Sequence, residues 1–499
     1  MKNNKGFTLV ELLAVIAILA ILVIIALPNV LKLYNNAKKN IFLTEAKNIY
    51  KSSANKYVTE SRKGKIISFI DSKNNGLGLT NEKDLEYCIN LNEGGSVKNL
   101  VVLDSNYYIE YDGSTDISEY DLKDVKEKQD NTKLICSKNS SKIVNVSPLK
   151  KCSSDNTSTY SDSTYTYKST NKGWTVKLTN PDSTEPIVDS PCSTINDKPI
   201  ISMKQLFDKS KVSSIDVSGF NTSDVTDMNG MFANTAATEI KGLEYLDTSK
   251  VTDMKSMFEG VSVESLDLTG FDTSSVKYMA SMFSGAKAKT IDTSNFNTSN
   301  VINMHRMFYY TTNIDKIDLS SFDTSNVQLM SAMFMGSTVT KIDGLNKLNT
   351  SKVTSMDSMF RMCKLKVLDL SSFDTHSVTT MGQMFDWAEA ETIIGLEKFD
   401  TSNVTNMGQM FESCSTKNLN LSSFDTTNVT NMGRMFDGNK AETIDLSSFD
   451  VSNIGVDKMD NMFRNCKSKT IYVKDQASLD KFNSSSNKSS SFEFIIKSN

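Results

Sequence analysis

The chain has 499 residues, of which 38% are hydrophobic and 23% are charged, and its formal net charge at pH 7 is -4. This length and composition are typical of a folded protein with two or three domains, and the small negative charge disfavours nucleic acid as the main partner. The sequence has only two histidines, His305 and His376, which leaves little material for histidine-based catalysis or metal binding.

A short basic segment and a long apolar run open the chain. Lys2 and Lys5 precede an apolar run from Leu12 to Leu27, and Glu11 lies at its start. A carboxylate in a membrane helix is unfavourable and usually has a function. Because no small-residue cleavage site follows the run, an ordinary secretory signal is disfavoured. The lysines predict that the N-terminus lies inside the cell and the rest of the chain outside it.

The same segment resembles the N-terminus of a type IV prepilin. Gly6 stands before the expected cleavage point, Phe7 after it, Glu11 at the fifth position of the mature chain, and Pro28 farther along the helix. The resemblance implies that a prepilin peptidase removes a leader, residues 1–6, and methylates Phe7. It also implies assembly with other pilin subunits, in which Glu11 neutralises the Phe7 amine of a neighbour. The alternative is an uncleaved signal anchor.

Apolar residues keep helical spacing from Thr8 to about Ser61. The spacing predicts an N-terminal pilin helix over residues 7–62, of which 7–31 span the membrane. The outer half must then pack on another element, and the pilin resemblance implies a small pilin-like head over residues 63–147. Its candidate strands are Lys65–Ile70, Asn99–Leu103, Tyr107–Tyr111 and Lys133–Cys136.

Residues 148–199 hold five of the six prolines beside a Ser/Thr-rich stretch. This composition predicts a linker between two domains, with an exposed β-hairpin formed by residues 164–168 and 174–178. Four cysteines of the head and linker are compatible with two disulfides in any of three pairings, among which the sequence does not decide. They are Cys88, Cys136, Cys152 and Cys192.

From residue 200 onward, the dipeptide Met-Phe recurs at intervals of 25 to 27 residues. The recurrence predicts a solenoid of about eleven units over residues 200–468, followed by a C-terminal cap over 469–499. Each unit begins with alternating apolar and polar residues, as in a strand, and continues with helical spacing. Coils of strand, turn and helix are therefore expected. The Met-Phe methionines are Met231, Met257, Met282, Met307, Met333, Met359, Met384, Met410, Met435 and Met462.

The repeated core Phe-Asp-Thr-Ser-x-Val-Thr-x-Met-x-x-Met-Phe resembles that of BspA-like bacterial surface proteins and covers more than half of the chain. The resemblance implies a leucine-rich-repeat-like extracellular solenoid that binds proteins or other surfaces, without identifying the ligand. The expected fold is α+β, with a long transmembrane pilin helix and a small pilin-like head ahead of a leucine-rich-repeat-like solenoid.

Three sets of repeated residues have a structural interpretation. Twenty of the 24 methionines occupy two positions of the repeat, which favours core packing over a soft-metal ladder. Asp follows the first Phe of the repeat core in most coils and Asn in others, so the shared property is a short side-chain oxygen. This favours a turn held by that oxygen over a calcium ladder. Cys363, Cys414 and Cys466 are expected to be small buried residues, about 10 Å apart and therefore not bridged.

An aspartate ends the strand segment of many repeats and is expected to point outward. Lys316 and Lys341, two positions earlier in their repeats, would partly offset this charge. Solenoids often bind partners through such a sheet face, although a plain solvated face is the alternative. The candidate partner-binding residues are Asp292, Asp318, Asp343 and Asp369.

Together these patterns predict a minor type IV pilin or pilin-like subunit that presents an adhesive solenoid. It would be held in the cell membrane before assembly and exposed on a pilus or the cell surface afterwards, with no cofactor and no metal. The first alternative is a structural pseudopilin of a type II secretion or DNA-uptake machine. A surface hydrolase is disfavoured because no pair of acids stands apart from the repeated ones, so an enzyme is not expected.

Overall fold

The chain divides into two compact units, Met1–Val146 and Ser147–Asn499. The structure is a computed structural model, and the residues that it describes are 9–62, 67–72, 76–79, 84–92, 94–129, 132–136, 142–145, 150–485 and 492–497.

The first unit is a long helix with a small antiparallel sheet. Phe42, Ala46 and Ile49 lie on one face of the helix and are buried in one core with the sheet. A disulfide joins Cys88 to Cys136, whose Cα atoms are 5.5 Å apart. Five strands form a sheet in the order β1-β2-β3-β4-β5, and β6 pairs with β7. The elements are α1 (Leu9–Arg62), β1 (Phe69–Asp71), β2 (Glu86–Leu91), β3 (Val97–Leu103), β4 (Tyr107–Tyr111), β5 (Lys126–Glu127), β6 (Thr132–Ile135) and β7 (Lys142–Asn145).

Helix α1 covers most of the predicted range 7–62, but its prediction as a transmembrane helix is not supported. Each predicted strand of the head overlaps an observed strand. Strand β2 (Glu86–Leu91) has no counterpart among the predicted strands. No helix in the described part of the chain is long and apolar enough to cross a membrane. Most of the predicted span, residues 7–31, falls outside the side chains that the structure describes.

The second unit begins with a six-stranded mixed sheet in the order β8-β12-β13-β11-β10-β9. The predicted hairpin is present as β10 and β11, but its expected exposure is wrong. Tyr165, Tyr167 and Trp174 alternate inward and are buried in the core of the solenoid. A second disulfide joins Cys152 to Cys192. The strands are β8 (Lys151–Cys152), β9 (Thr159–Ser161), β10 (Tyr165–Ser169), β11 (Trp174–Leu178), β12 (Thr194–Ile195) and β13 (Lys198–Ser202).

A β-solenoid of about 13 turns follows. Its short strands pair in parallel with the equivalent strands of neighbouring coils, and a line of single bridges runs from Ser202 to Asn431 along a second side. The strands are β14 (Ser214–Asp216), β15 (Glu239–Lys241), β16 (Ser265–Leu266), β17 (Thr290–Ile291), β18 (Lys316–Asp318), β19 (Lys341–Asp343), β20 (Val367–Asp369), β21 (Thr392–Ile394), β22 (Asn418–Asn420), β23 (Thr443–Leu446), β24 (Thr470–Val473) and β25 (Glu493–Ile496).

The helix predicted in each coil is wrong. The segment between the two repeat methionines is a series of turns, with a residue such as Ser256 in the left-handed region at φ 53°. The N–H groups of Met254, Ser256 and Phe258 donate to carbonyl groups of the next coil at 2.9 to 3.0 Å. A helix would pair these groups within the coil. The Val, Met and Phe residues that have helical spacing in the sequence instead lie on the inner side of these turns, where they are buried.

The core of the solenoid is a continuous stack of phenylalanines. The ring of Phe334, for example, lies 5.8 Å from that of Phe308 and 5.7 Å from that of Phe360. The repeat methionines surround the stack and are fully buried, as expected for core residues. At the C-terminal end, helix α2 (Gln476–Ser485) and strand β25 place Phe482 and Phe494 against Phe463, which closes the stack.

Candidate functional site

The four residues expected to act in processing and assembly lie where the structure gives no side-chain description. Gly6 and Phe7 fall outside the described residues, and Glu11 and Pro28 are described only as backbone of α1. Their roles stay predictions that rest on the sequence.

The four candidate binding aspartates lie in successive coils. Asp318 ends β18 and is the direct partner of Asp343 in β19. Asp292 follows β17 and Asp369 ends β20. All four are half-buried rather than fully exposed.

Three of these aspartates hold the turn that leaves the strand. The Oδ1 atoms of Asp292, Asp318 and Asp369 accept from the backbone N–H two residues later, at 2.9, 2.8 and 3.1 Å. Asn420 accepts in the same way, at 3.2 Å from the N–H of Ser422. The turn therefore requires a short side chain with an oxygen and does not require a charge.

Asp343 has a different environment. Its carboxylate lies 2.6 Å from the Lys316 ammonium group and 2.9 Å from that of Lys341. Hydrogen bonds from both lysines hold its pKa below the ordinary 3.8. The four residues are therefore not an equivalent row of free charges, since three are engaged in turns and the fourth is neutralised by two lysines.

The Asp or Asn that follows the first Phe of the repeat core, the Phe of Phe-Asp-Thr-Ser, also forms a turn, as expected. Oδ1 of Asp272 accepts from the Ser274 N–H at 3.0 Å, and Oδ1 of Asn297 accepts from the Ser299 N–H at 3.1 Å. Among the described residues, no group of three or more His, Cys, Asp or Glu side chains is arranged to hold a metal ion. The residues that the repeat brings together at these positions stabilise the coil.

The three cysteines of the repeats are buried and free, as predicted from their spacing. They are Cys363, Cys414 and Cys466.

Buried charges line one edge of the later coils. Nε of Arg361 lies 2.8 Å from Oδ2 of Asp386, whose side chain is 1% exposed. Farther along, the Arg464 guanidinium lies 2.6 Å from Oδ2 of Asp437, and Nη1 of Arg434 lies 3.8 Å from Glu412. Arginines thus compensate three nearly buried carboxylates in successive coils, which makes the network an element of structure.

Asp386 gives this network a measurable pH dependence. Burial raises its pKa to about 7, although Arg361 opposes the shift. The folded chain therefore binds more protons than the unfolded chain between pH 4 and 7, so the free energy of unfolding contributed by this group falls as the pH rises. Between pH 5 and 8 we expect the melting temperature of Asp386→Asn to fall less than that of the wild type, by about 2 °C or more.

The matched control for this measurement is Asp425→Asn. Asp425 is exposed, and its pKa lies below 3.8 because Thr427 donates hydrogen bonds to it. It is already ionised throughout the window. Parallel melting curves for the wild type and Asp386→Asn would contradict the assignment of the titration to Asp386.

Sequence reasoning did not single out one further surface. Tyr310, Met362 and Trp387 are large and exposed, and they lie on one edge of the solenoid. A signal was present in the repeat, because other coils have Gly, Asn or Ser at the same position, as at Gly336 and Ser413.

Comparisons with known proteins find matches for the N-terminal segment and for the solenoid. Residues 1–27 match the prokaryotic N-terminal methylation motif. Residues 201–317, 310–393 and 387–497 match the family described as "Mycoplasma protein of unknown function, DUF285". The solved structure of the pneumococcal vaccine antigen PcpA aligns at 15% identity with a TM-score of 0.35, over 69% of this chain and 99% of that chain. No curated protein matches the chain. The family matches span the solenoid.

Proposed function

Because the chain belongs to the family described as "Mycoplasma protein of unknown function, DUF285" and begins with the prokaryotic N-terminal methylation motif, we propose that it is a minor type IV pilin or pilin-like surface subunit. In this proposal the solenoid is a leucine-rich-repeat-like, BspA-like adhesive module. A prepilin peptidase cuts between Gly6 and Phe7, and the apolar run holds the chain in the cell membrane before assembly.

One observation carries the proposal: the methylation motif and the solenoid occupy different units of the chain. The motif covers residues 1–27, and the solenoid belongs to the unit Ser147–Asn499, which has its own core. Such a division supports one part that assembles with pilins and another that contacts a target. No catalytic role is proposed for the strand aspartates, since Asp292, Asp318 and Asp369 hold turns and Asp343 is paired with two lysines.

The experiment combines N-terminal mass spectrometry with an assembly assay. The mature chain is expected to begin with methylated Phe7. Glu11→Ala should still insert into the membrane, but its amount in sheared filaments should fall by more than about tenfold, because an unpaired buried charge costs about 3 to 5 kcal/mol.

Glu11→Asp is the control that keeps a carboxylate, and it should retain a larger share of the assembly than Glu11→Ala. A chain that begins with Met1 would reject the pilin proposal. Full incorporation of Glu11→Ala would reject the pairing of Glu11 with the Phe7 amine of a neighbour.

A further inference from the structure

Each coil has two left-handed backbone positions, one between the repeat methionines, as at Ser256, and one after them. The second is two residues after the Phe of the Met-Phe pair, and its φ lies between 48° and 66° in ten successive coils. Its N–H donates to the next coil, as from Trp387 to the carbonyl of Glu412 at 2.8 Å. The residues are Asn234, Gly260, Gly285, Tyr310, Gly336, Met362, Trp387, Ser413, Gly438 and Asn465.

Gly and Asn suit this position, because the left-handed region is sterically unfavourable for larger side chains. Seven of the ten coils have Gly, Asn or Ser here. Tyr310, Met362 and Trp387 do not fit this rule, and burial does not compensate, since they are 36%, 39% and 60% exposed. Partly exposed side chains stabilise a fold less than fully buried ones do. Backbone strain that the fold does not need points to a function.

The three side chains occupy equivalent positions along one edge of the solenoid, which we name the aromatic row. The Tyr310 ring extends over Gly336, where an added Cβ would lie 2.8 Å from ring atoms. Its hydroxyl donates to Sδ of Met362 at 3.5 Å. Trp387 occupies the same position in the next coil. A glycine between two large residues thus lets the ring of one reach the side chain of the other.

A positive charge adjoins one end of the aromatic row. The Tyr309 ring lies 4.6 Å from that of Tyr310, and the Arg306 guanidinium lies 5.0 Å from the Tyr309 ring centre. Within the described residues, no carboxylate lies within 4.0 Å of Arg306, whereas Arg361 is paired with Asp386. The charge that this surface leaves unbalanced is therefore positive.

We propose that the aromatic row, with Tyr309 and Arg306, is a docking surface for a protein segment that carries a large apolar side chain and a carboxylate. The carboxylate would pair with Arg306, and the apolar side chain would lie across Met362 against Trp387. Trp, Tyr and Arg are the residues that dominate the binding energy of protein interfaces, and Met adapts to apolar partners.

A protein segment fits this surface better than a glycan does. Sugar rings need hydrogen-bond partners around an aromatic platform, and the middle of the aromatic row offers only a thioether at Met362 and no side chain at Gly336. This inference rests on the proposed function, because it names the contact surface of the adhesive solenoid. It differs from the strand aspartates first expected to bind.

The test replaces each large residue with one that other coils have at the same position. In the full-length chain, Tyr310→Gly, Met362→Gly and Trp387→Ser are combined, and Asn234→Gly serves as the control at an equivalent distant position. The probe is a bead-displayed library of random peptides. Peptides captured by the wild type should be enriched in aromatic or aliphatic residues beside Asp or Glu.

The triple variant should bind the captured peptides at least about tenfold more weakly, with an unchanged or higher melting temperature, since the substitutions relieve strain. Arg306→Gln should weaken binding and reduce its salt dependence. Gln is the residue of later coils at that position, as at Gln383. Equal peptide binding by the wild type and the triple variant would overturn the proposal, as would binding to a glycan array without peptide binding.

An adhesion assay with cells distinguishes a failure of this proposal from a failure of the function on which it rests. If cells with the triple variant adhere normally but cells without the solenoid do not, the aromatic row is not the docking surface and the adhesive function stands. If deletion of the solenoid leaves adhesion unchanged, the adhesive function itself fails. Reduced adhesion in both strains supports both proposals.

Discussion

A chain that ends at Val146 is expected to be cleaved and incorporated into filaments, while the cells that carry it lose most of their adhesion. The helix α1 and the sheet β1–β5 bury their own core, which supports independent folding of the first unit. All surfaces of the solenoid are removed in this chain. Shearing of filaments, immunodetection and an adhesion assay measure the three outcomes.

The position of the cut matters, and a chain that ends at Pro199 is the informative comparison. That cut passes through β13, which pairs with both β11 and β12, and it removes the coils that cover Tyr165 and Trp174. The longer chain should therefore be less abundant and more sensitive to protease than the shorter one. Unchanged adhesion by cells with the shorter chain would favour a structural pseudopilin of a secretion or DNA-uptake machine.

Phe334→Ala is expected to reduce the free energy of unfolding of the solenoid by about 4 kcal/mol. Phe334 is fully buried and stacks between Phe308 and Phe360, so the substitution opens a cavity and interrupts the aromatic stack. Because a solenoid depends on contacts between neighbouring coils, the loss should weaken coupling on both sides of the cavity. Urea unfolding followed by circular dichroism measures the change.

Two controls accompany this substitution. Phe334→Leu keeps most of the buried volume and should cost clearly less. Leu329→Ala removes a side chain that is 38% exposed in a neighbouring part of the coil, and it should cost little. Equal losses for Phe334→Ala and Leu329→Ala would show that the stack does not contribute as described.

The sequence was sufficient to predict the repeat, its buried residues and the turn-forming Asp and Asn positions. A residue type that recurs at a fixed interval has the same environment in each coil, as the burial of Met257 and Met282 illustrates. The sequence was not sufficient to separate a short helix from a closed turn. Apolar spacing is the same in both, and the difference lies in whether an N–H such as that of Phe258 pairs within the coil or with the next one.

The aspartates show a second limit of sequence reasoning. The alternation of apolar and polar residues correctly predicted that Asp318 and Asp343 lie next to each other on paired strands. It could not reveal that Asp318 accepts a hydrogen bond from the Ser320 N–H or that Lys316 reaches across to Asp343 in the next coil. Such contacts depend on the stacking register. The repeat shows that Trp387 replaces the Gly, Asn or Ser of other coils, but only the structure shows its left-handed backbone and its exposure.

The direction of the hydrogen bonds between coils has a mechanical consequence. They run along the axis of the solenoid, so a pull between Ser147 and a partner docked on the aromatic row loads successive ladders in series and opens them one coil at a time. Each coil of 25 to 27 residues releases up to about 90 Å of chain when it opens. The disulfide Cys152–Cys192 withholds its loop from this extension, and coils beyond the aromatic row bear no load. If a partner docks as proposed, tension can therefore lengthen the chain at the coils that precede the aromatic row.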